Sequence, residues 1–267
     1  MRNIFEKLME NIESGVPAVM YTLIHGGGES GLPEGSRFLV CNNGIKYGTL
    51  GADCLNQLAE ERAKVIFKDS VSQTDIVEYR LSEEAKAIIL EDAYFPEKRI
   101  IIYGGGHVAL PLAQMASILG YQVLVIDDRP DFASRQRFPW AHEVIYADFN
   151  DVWSEEFIKE KINPFTSVII VTRGHEYDKT CLASVVSSQA RYIGMIGSKS
   201  KVKSIFKALE NEGISREDLR KIAAPIGLAL GGQKPPEIAL SILAEIVARE
   251  NNGNGRTMRE VKGGLLE

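Results

Sequence analysis

With 267 residues, 45% hydrophobic and 25% charged, the chain has the balance of a globular protein long enough for roughly two domains, each with a core of its own. A formal net charge of −5 and a pI near 5.6, with no dense Lys/Arg block, exclude nucleic acid as the expected partner. No apolar run approaches the roughly 20 residues that cross a bilayer, and three scattered cysteines without C-x-x-C spacing make no disulfide framework, so a cytoplasmic protein with reduced thiols is expected.

Ile4, Phe5, Leu8, Met9 and Ile12 fall on one helical face, and the amino terminus reads as an amphipathic helix rather than a signal peptide. Ala18 to Ile24 reads as a strand. It leads into the loop His25 to Gly31, which either cradles an anion through its N–H groups or is merely a flexible connection. Phe38 to Cys41 and Ile45 to Thr49 flank Asn42-Asn43-Gly44, a hairpin signal because such residues accept positive φ. After Gly48 to Ala52, Asp53 is placed to cap a helix whose apolar face carries Leu55, Leu58, Ala59, the Arg62 stem and Ile66. Cys54 falls in the first turn of that helix, where the helix dipole favours a thiolate able to act as nucleophile or soft-metal ligand. The competing reading is a buried filler cysteine, the reading given to Cys41 and Cys181. These elements form a small α+β domain over residues 1–94, with the boundary near Asp92 to Lys98.

From Ile100 the rhythm changes. Strands near 100–103, 122–126, 143–146, 167–172 and 190–195 alternate with helical stretches, which predicts a parallel sheet covered on both faces. Ser198 caps a helix from Lys199 to Asn211 that Gly213 ends, and Pro235 to Glu250 forms the last helix. The second domain is therefore a Rossmann-like, doubly wound α/β unit over 95–250, and the polar residues 251–267 read as a flexible tail.

Ligands of such sheets bind beyond the carboxyl ends of the strands, and three loops there stand out. Gly104-Gly105-Gly106-His107-Val108-Ala109 has the spacing G-x-G-x-x-A between a strand and a helix. Its first glycine permits a tight turn, its second admits a phosphate, and its small third residue packs the helix on the sheet. The bland alternative is a tight connection without a ligand. About 20 residues on, Asp127 and Asp128 stand where a dinucleotide fold places the carboxylate for ribose hydroxyls, or else cap the turn before Pro130. Arg129 either grips a phosphate or neutralises these acids. In Thr172 to Asp178, Asp178 follows His175 by three residues and is placed to orient its imidazole or share a cation, unless that histidine is idle in solvent. Neither zinc-type ligand spacing nor a G-x-S-x-G elbow occurs.

Several blocks in order carry a resemblance: FPEKRIIIYGGGHVALPLAQMASILGYQVLVIDDRPDF from Phe95, then RFPWAHEVI, VTRGHEYDKTCL, YIGMIGSKSK and APIGLALGGQKPPEIALSILAEI. From Phe95 to about Ala248 the chain resembles the xanthine dehydrogenase accessory factor family, XdhC/CoxI. The resemblance implies a small domain joined to a Rossmann domain, a homodimer, and a role in binding molybdopterin for delivery to a xanthine-dehydrogenase-type molybdenum enzyme, with a sulfurase or other cofactor-modifying enzyme as a further partner. Gly104, Gly105, Gly106 and His107 match its glycine loop, Asp127, Asp128 and Arg129 its D-D-R-P block, and Arg173, Gly174, His175 and Asp178 its R-G-H-x-Y-D block. Gly48 to Asn56 resembles a glycine-rich stretch of that family ending in Cys-x-Glu, but Ala52 and Asp53 replace glycines and Asn56 the acid. The expectation is a non-catalytic molybdenum cofactor chaperone with Cys54 towards the molybdenum. The alternatives are an NAD(P)-dependent oxidoreductase, because the same turn and Asp127 suit a dinucleotide, and a nucleotide-binding regulator.

Overall fold

The computed structural model describes residues 3–26, 31–69, 72–80, 86–150 and 161–262. The chain divides into two compact units, Met1–Pro96 and Glu97–Glu267.

The first unit contains α1 (Ile4–Glu13), β1 (Ala18–His25), β2 (Arg37–Cys41), β3 (Lys46–Gly48), α2 (Asp53–Asp69), β4 (Gln73–Arg80) and β5 (Lys86–Tyr94). The strands form an antiparallel sheet in the order β3-β2-β1-β5-β4. The central β1 is apolar on successive residues because both of its faces are covered. Val19, Tyr21 and Leu23 pack with Leu55, Ala59, Ala63 and Ile66 of α2, whereas Ala18 and Met20 pack with Leu8 of α1. Leu58, expected on the inner face of α2, is exposed instead. The β4–β5 hairpin has no counterpart in the sequence reading. β4 is a charged edge strand with Ile76 in solvent, so no buried alternation marks it. Asp92, expected near a domain boundary, lies within β5 opposite Met20. Residues 27–30 of the loop from His25 to Gly31 lie outside the described residues.

The second unit contains β6 (Arg99–Tyr103), α3 (Ala109–Ile118), β7 (Gln122–Asp127), β8 (Glu143–Tyr146), β9 (Thr166–Ile170), α4 (His175–Val185), β10 (Tyr192–Met195), α5 (Lys199–Asn211), α6 (Arg216–Arg220), α7 (Pro235–Glu250) and α8 (Met258–Lys262). The last of these lies in the stretch expected to fray, of which residues 263–267 are outside the described residues. Its five strands are parallel in the order β10-β9-β6-β7-β8. The chain thus winds from β6 through β7 to β8, crosses back, and continues on the other side through β9 and β10. The reversal lies between β6 and β9, where doubly wound sheets open a crevice.

Alternation along β6 divides the core. Ile100 and Ile102 pack under α3 and α7, and Ile101 and Tyr103 pack under α4 and α5. All four are fully buried, each aliphatic side chain contributing about 1.5–3 kcal/mol by transfer out of water. Continuous apolar strands are what a sheet covered on both faces requires. Truncating Ile101 to Ala should therefore cost about 2–5 kcal/mol, read as a lower urea midpoint with an unchanged slope.

Candidate functional site

The glycine turn leaves the carboxyl end of β6 and enters α3. Gly104 has φ of +103° and donates to the Ile126 carbonyl at 2.8 Å, while a Cβ on it would lie 2.5 Å from the Val171 carbonyl oxygen. It is a glycine because the chain is threaded between β7 and the segment after β9. Gly105 is equally constrained, since its Cβ would meet the Phe132 carbonyl oxygen at 2.3 Å. Gly106 differs from both: a Cβ there would have nothing within 4 Å. Packing does not require that glycine, and the space beside it is open to a ligand. Ala109 is fully buried against the sheet, as the motif predicts.

Among the described residues, the backbone N–H groups of Gly106, His107, Val108 and Ala109 meet no acceptor, and Val108, at the N-cap, supplies no side-chain cap. Such an opening favours an anion. Arg137 adds charge, donating from Nε to the Gly105 carbonyl at 3.0 Å and lying over the Phe132 ring. Among the described residues Arg137 has no carboxylate partner, so its charge is uncompensated at the turn.

Asp127, at the end of β7, is 1% exposed and does not present a free carboxylate. Its Oδ2 accepts from Gly105 N–H at 2.7 Å, and Arg129 reaches it through Nε at 2.8 Å, Nη2 at 2.9 Å and its own N–H at 3.0 Å. Burial alone would push this carboxyl up, but the Arg129 guanidinium and the two N–H groups hold it below the usual aspartate range. Arg129 neutralises this acid, and its guanidinium stacks on Phe132 at 3.6 Å. Asp128 turns the other way, where its Oδ2 accepts from Arg173 Nη2 at 2.6 Å. Arg173 in turn lies 5.1 Å from the Tyr177 ring centroid, which leaves an exposed planar cation on an aromatic shelf.

Gly174 is the N-cap of α4 and His175 its first residue. The expectation that Asp178 orients His175 is corrected here. Asp178 is fully buried and bound by the Thr172 hydroxyl and the Lys201 ammonium, whereas His175 and His107 stand exposed. Burial raises the Asp178 carboxyl above its ordinary value, and Lys201 and Thr172 offset this only in part. Cys54 is exposed in the first turn of α2, unlike the buried Cys41 and Cys181. Asn56, two residues on, accepts from Leu50 N–H at 2.9 Å and donates to Thr49 Oγ1 at 2.9 Å, tying down the preceding loop. No cluster of three His, Cys, Asp or Glu suited to a metal occurs among the described residues.

Sequence reasoning missed Phe132, Arg137 and Lys201 as parts of this rim. The first two lie in an irregular segment without periodicity, and the pairing of Lys201 with Asp178 joins α5 to α4 across twenty-three positions of the chain. Only the proximity of Phe132 and Arg137 to Asp127 in the chain pointed their way.

A parallel sheet with this strand order, opening on an uncapped helix N-terminus at its reversal, defines a Rossmann-type domain. Residues 100–246 match the XdhC Rossmann domain, and residues 12–80 match the XdhC and CoxI family. The chain belongs to the XdhC and CoxI family. Uncharacterized protein YqeB of Escherichia coli (strain K12) is 25% identical over 265 residues, covering 96% of this chain and 48% of that protein. A probable xanthine dehydrogenase component of Bacillus subtilis (strain 168) is 30% identical over 152 residues, covering 57% of this chain and 43% of that protein. Molybdenum cofactor insertion chaperone PaoD of Escherichia coli (strain K12) is 25% identical over 158 residues, covering 59% and 42%. The chain thus spans less than half the length of each of these relatives. A crystal structure of a xanthine dehydrogenase from Bacillus halodurans shares the fold, with a TM-score of 0.52 at 21% identity over 96% of this chain and 98% of that one. No helix among the described residues is long and apolar enough to cross a membrane.

Two substitutions separate the roles of the glycines. Gly104→Ala should cost about 1–3 kcal/mol through positive φ and overlap with Val171, whereas Gly106→Ala should change stability by less than about 0.5 kcal/mol; thermal melts distinguish them. Asp127→Asn should cost about 1–3 kcal/mol at neutral pH. Because the folded carboxyl is held low, that stabilisation is present above the unfolded value near 3.9 and fades as pH falls through the folded one, so the two melting curves should converge in acid.

Proposed function

We propose that this protein is a molybdenum cofactor chaperone that binds molybdopterin at the carboxyl rim of its parallel sheet and hands it to a xanthine-dehydrogenase-type enzyme. The observation that carries the reading is the open position at Gly106 beside four unbonded N–H groups. A phosphate fits there because the amides need an acceptor and Arg137 supplies a charge that meets no carboxylate among the described residues. Arg173, held by Asp128 and backed by Tyr177, offers a planar cation to a heteroaromatic ring, and the imidazoles of His107 and His175 lie exposed on the same loops. Two relatives, one described as part of a xanthine dehydrogenase and the other as a molybdenum cofactor insertion chaperone, support the same class of cargo and recipient.

In this proposal the chemistry belongs to the cargo, and the chain binds, orients and shields it. Gly104, Gly105 and Asp127 hold the shape of the turn, while Gly106, His107 and the start of α3 meet the phosphate. Gly174 sets the entry to α4, and Asp178 fixes Lys201 beside Thr172. Cys54, exposed at a helix N-terminus, is the proposed soft ligand for molybdenum. The proposed assembly is a cytoplasmic homodimer that meets the recipient enzyme and a sulfurase or other cofactor-modifying enzyme. NAD(P)-dependent oxidation is a second reading favoured by the glycine turn at the sheet reversal. Against it, the carboxylate expected to receive ribose hydroxyls is already saturated by Gly105 and Arg129.

Calorimetry on the purified chain with molybdopterin, NAD and NADP tests the proposal. Molybdopterin should bind, and Gly106→Val should weaken it about tenfold or more without lowering the melting temperature. Cys54→Ser should reduce molybdenum retention, measured by metal analysis, while pterin binding persists. Dinucleotide binding accompanied by hydride transfer, or molybdopterin binding indifferent to Gly106→Val, would overturn the assignment.

A further inference from the structure

α5 carries its charges against its own stability. Lys199, Lys201 and Lys203 crowd its amino-terminal half, where the helix dipole disfavours cations, and Glu210 lies near its carboxyl end, where the dipole disfavours anions. α1 and α7 show the opposite arrangement, with Glu6 and Glu237 in their first turns. Lys201 is explained by Asp178 and Glu210 by Arg216. Lys199, Lys203 and Lys207 are not. Four-residue spacing puts all three on one face, where like charges repel, and among the described residues none has an acidic partner.

That face borders a groove of about 510 Å³ whose apolar lining includes the half-buried Phe206 together with Ala224 and Pro225. A row of unanswered cations beside an apolar floor offers two kinds of contact at once. In a chain of net charge −5 this is a local reversal of sign, which steers an acidic partner to this face.

We propose that the outer face of α5 docks an acidic segment of a partner protein, with carboxylates on Lys199, Lys203 and Lys207 and an apolar side chain against Phe206 and Pro225. The length of the lysine row favours this occupant over a nucleic acid. It extends only about 12 Å along the helix and ends where Glu210 pairs with Arg216 and Glu212 with Lys179, a reach that suits a few carboxylates and is too short for a continuous phosphate backbone. A short acidic segment matches three cations and one apolar contact. The groove is lined by none of the residues of the glycine turn or of the Asp127 to Arg129 loop, and the inference does not depend on which ligand that turn holds.

Fluorescence anisotropy on the full chain, with a labelled glutamate-rich peptide carrying a central phenylalanine, tests this. Binding should weaken with salt and fall about tenfold or more in the double variant Lys203→Glu, Lys207→Glu, which alters only exposed side chains. The same peptide with glutamine for each glutamate should not bind, and Gly106→Val should leave peptide binding unchanged, so failure here and failure of the cofactor reading are distinct results. The proposal is overturned if charge reversal leaves peptide affinity within about twofold. It is equally overturned if single-stranded oligouridine outcompetes the peptide, or if sedimentation shows the wild-type chain dimerising through this face and the variant monomeric.

Discussion

The bond from Gly105 N–H to the buried Asp127 carboxylate is the constraint on which the site depends. It ties the turn after β6 to the end of β7, and with Gly104 wedged against Val171 it fixes where the amides of α3 begin to point. A buried carboxylate is tolerable there only because Arg129 grips it through both Nε and Nη2. The acid that a dinucleotide fold lends to its ligand is here part of the scaffold.

The same principle recurs along the rim. Arg129 answers Asp127, Arg173 answers Asp128, and Lys201 answers Asp178, all at or just beyond the carboxyl ends of the strands. These pairs orient the loops without adding net charge. What remains positive is smaller and more directed: bare amides at the start of α3 and Arg137 resting on a carbonyl. An acidic protein can thus attract an anion to one point without a basic surface. α5 follows a different logic, because its lysines at 199, 203 and 207 answer nothing within the described chain.

Much of the fold was legible because burial on both faces of a parallel sheet writes itself as apolar runs, as in Ile100 to Tyr103 and Val168 to Val171. The helix cap at Ser198 and the glycine after α5 were equally readable, since they depend on neighbours in the chain. The β4–β5 hairpin was not. Its outer strand is polar because an exposed edge must discourage pairing, and that protection removes the signal that identifies strands.

By itself, the sequence determined the alternation of the five strands with the longer helices of the second unit and the glycine turn between β6 and α3. Those are consequences of local backbone freedom and periodic burial. Only the tertiary structure decided which acids are available. Asp127, Asp128 and Asp178 look alike as letters, yet each is committed to a different cation, and Asp178 is turned from the nearby His175 to a lysine twenty-three positions away. Exposure was decided in the same way, with Cys54 left on the surface and Cys41 and Cys181 enclosed. Charge pairing and burial are set by distance in space, which the fold creates and the linear chain does not contain.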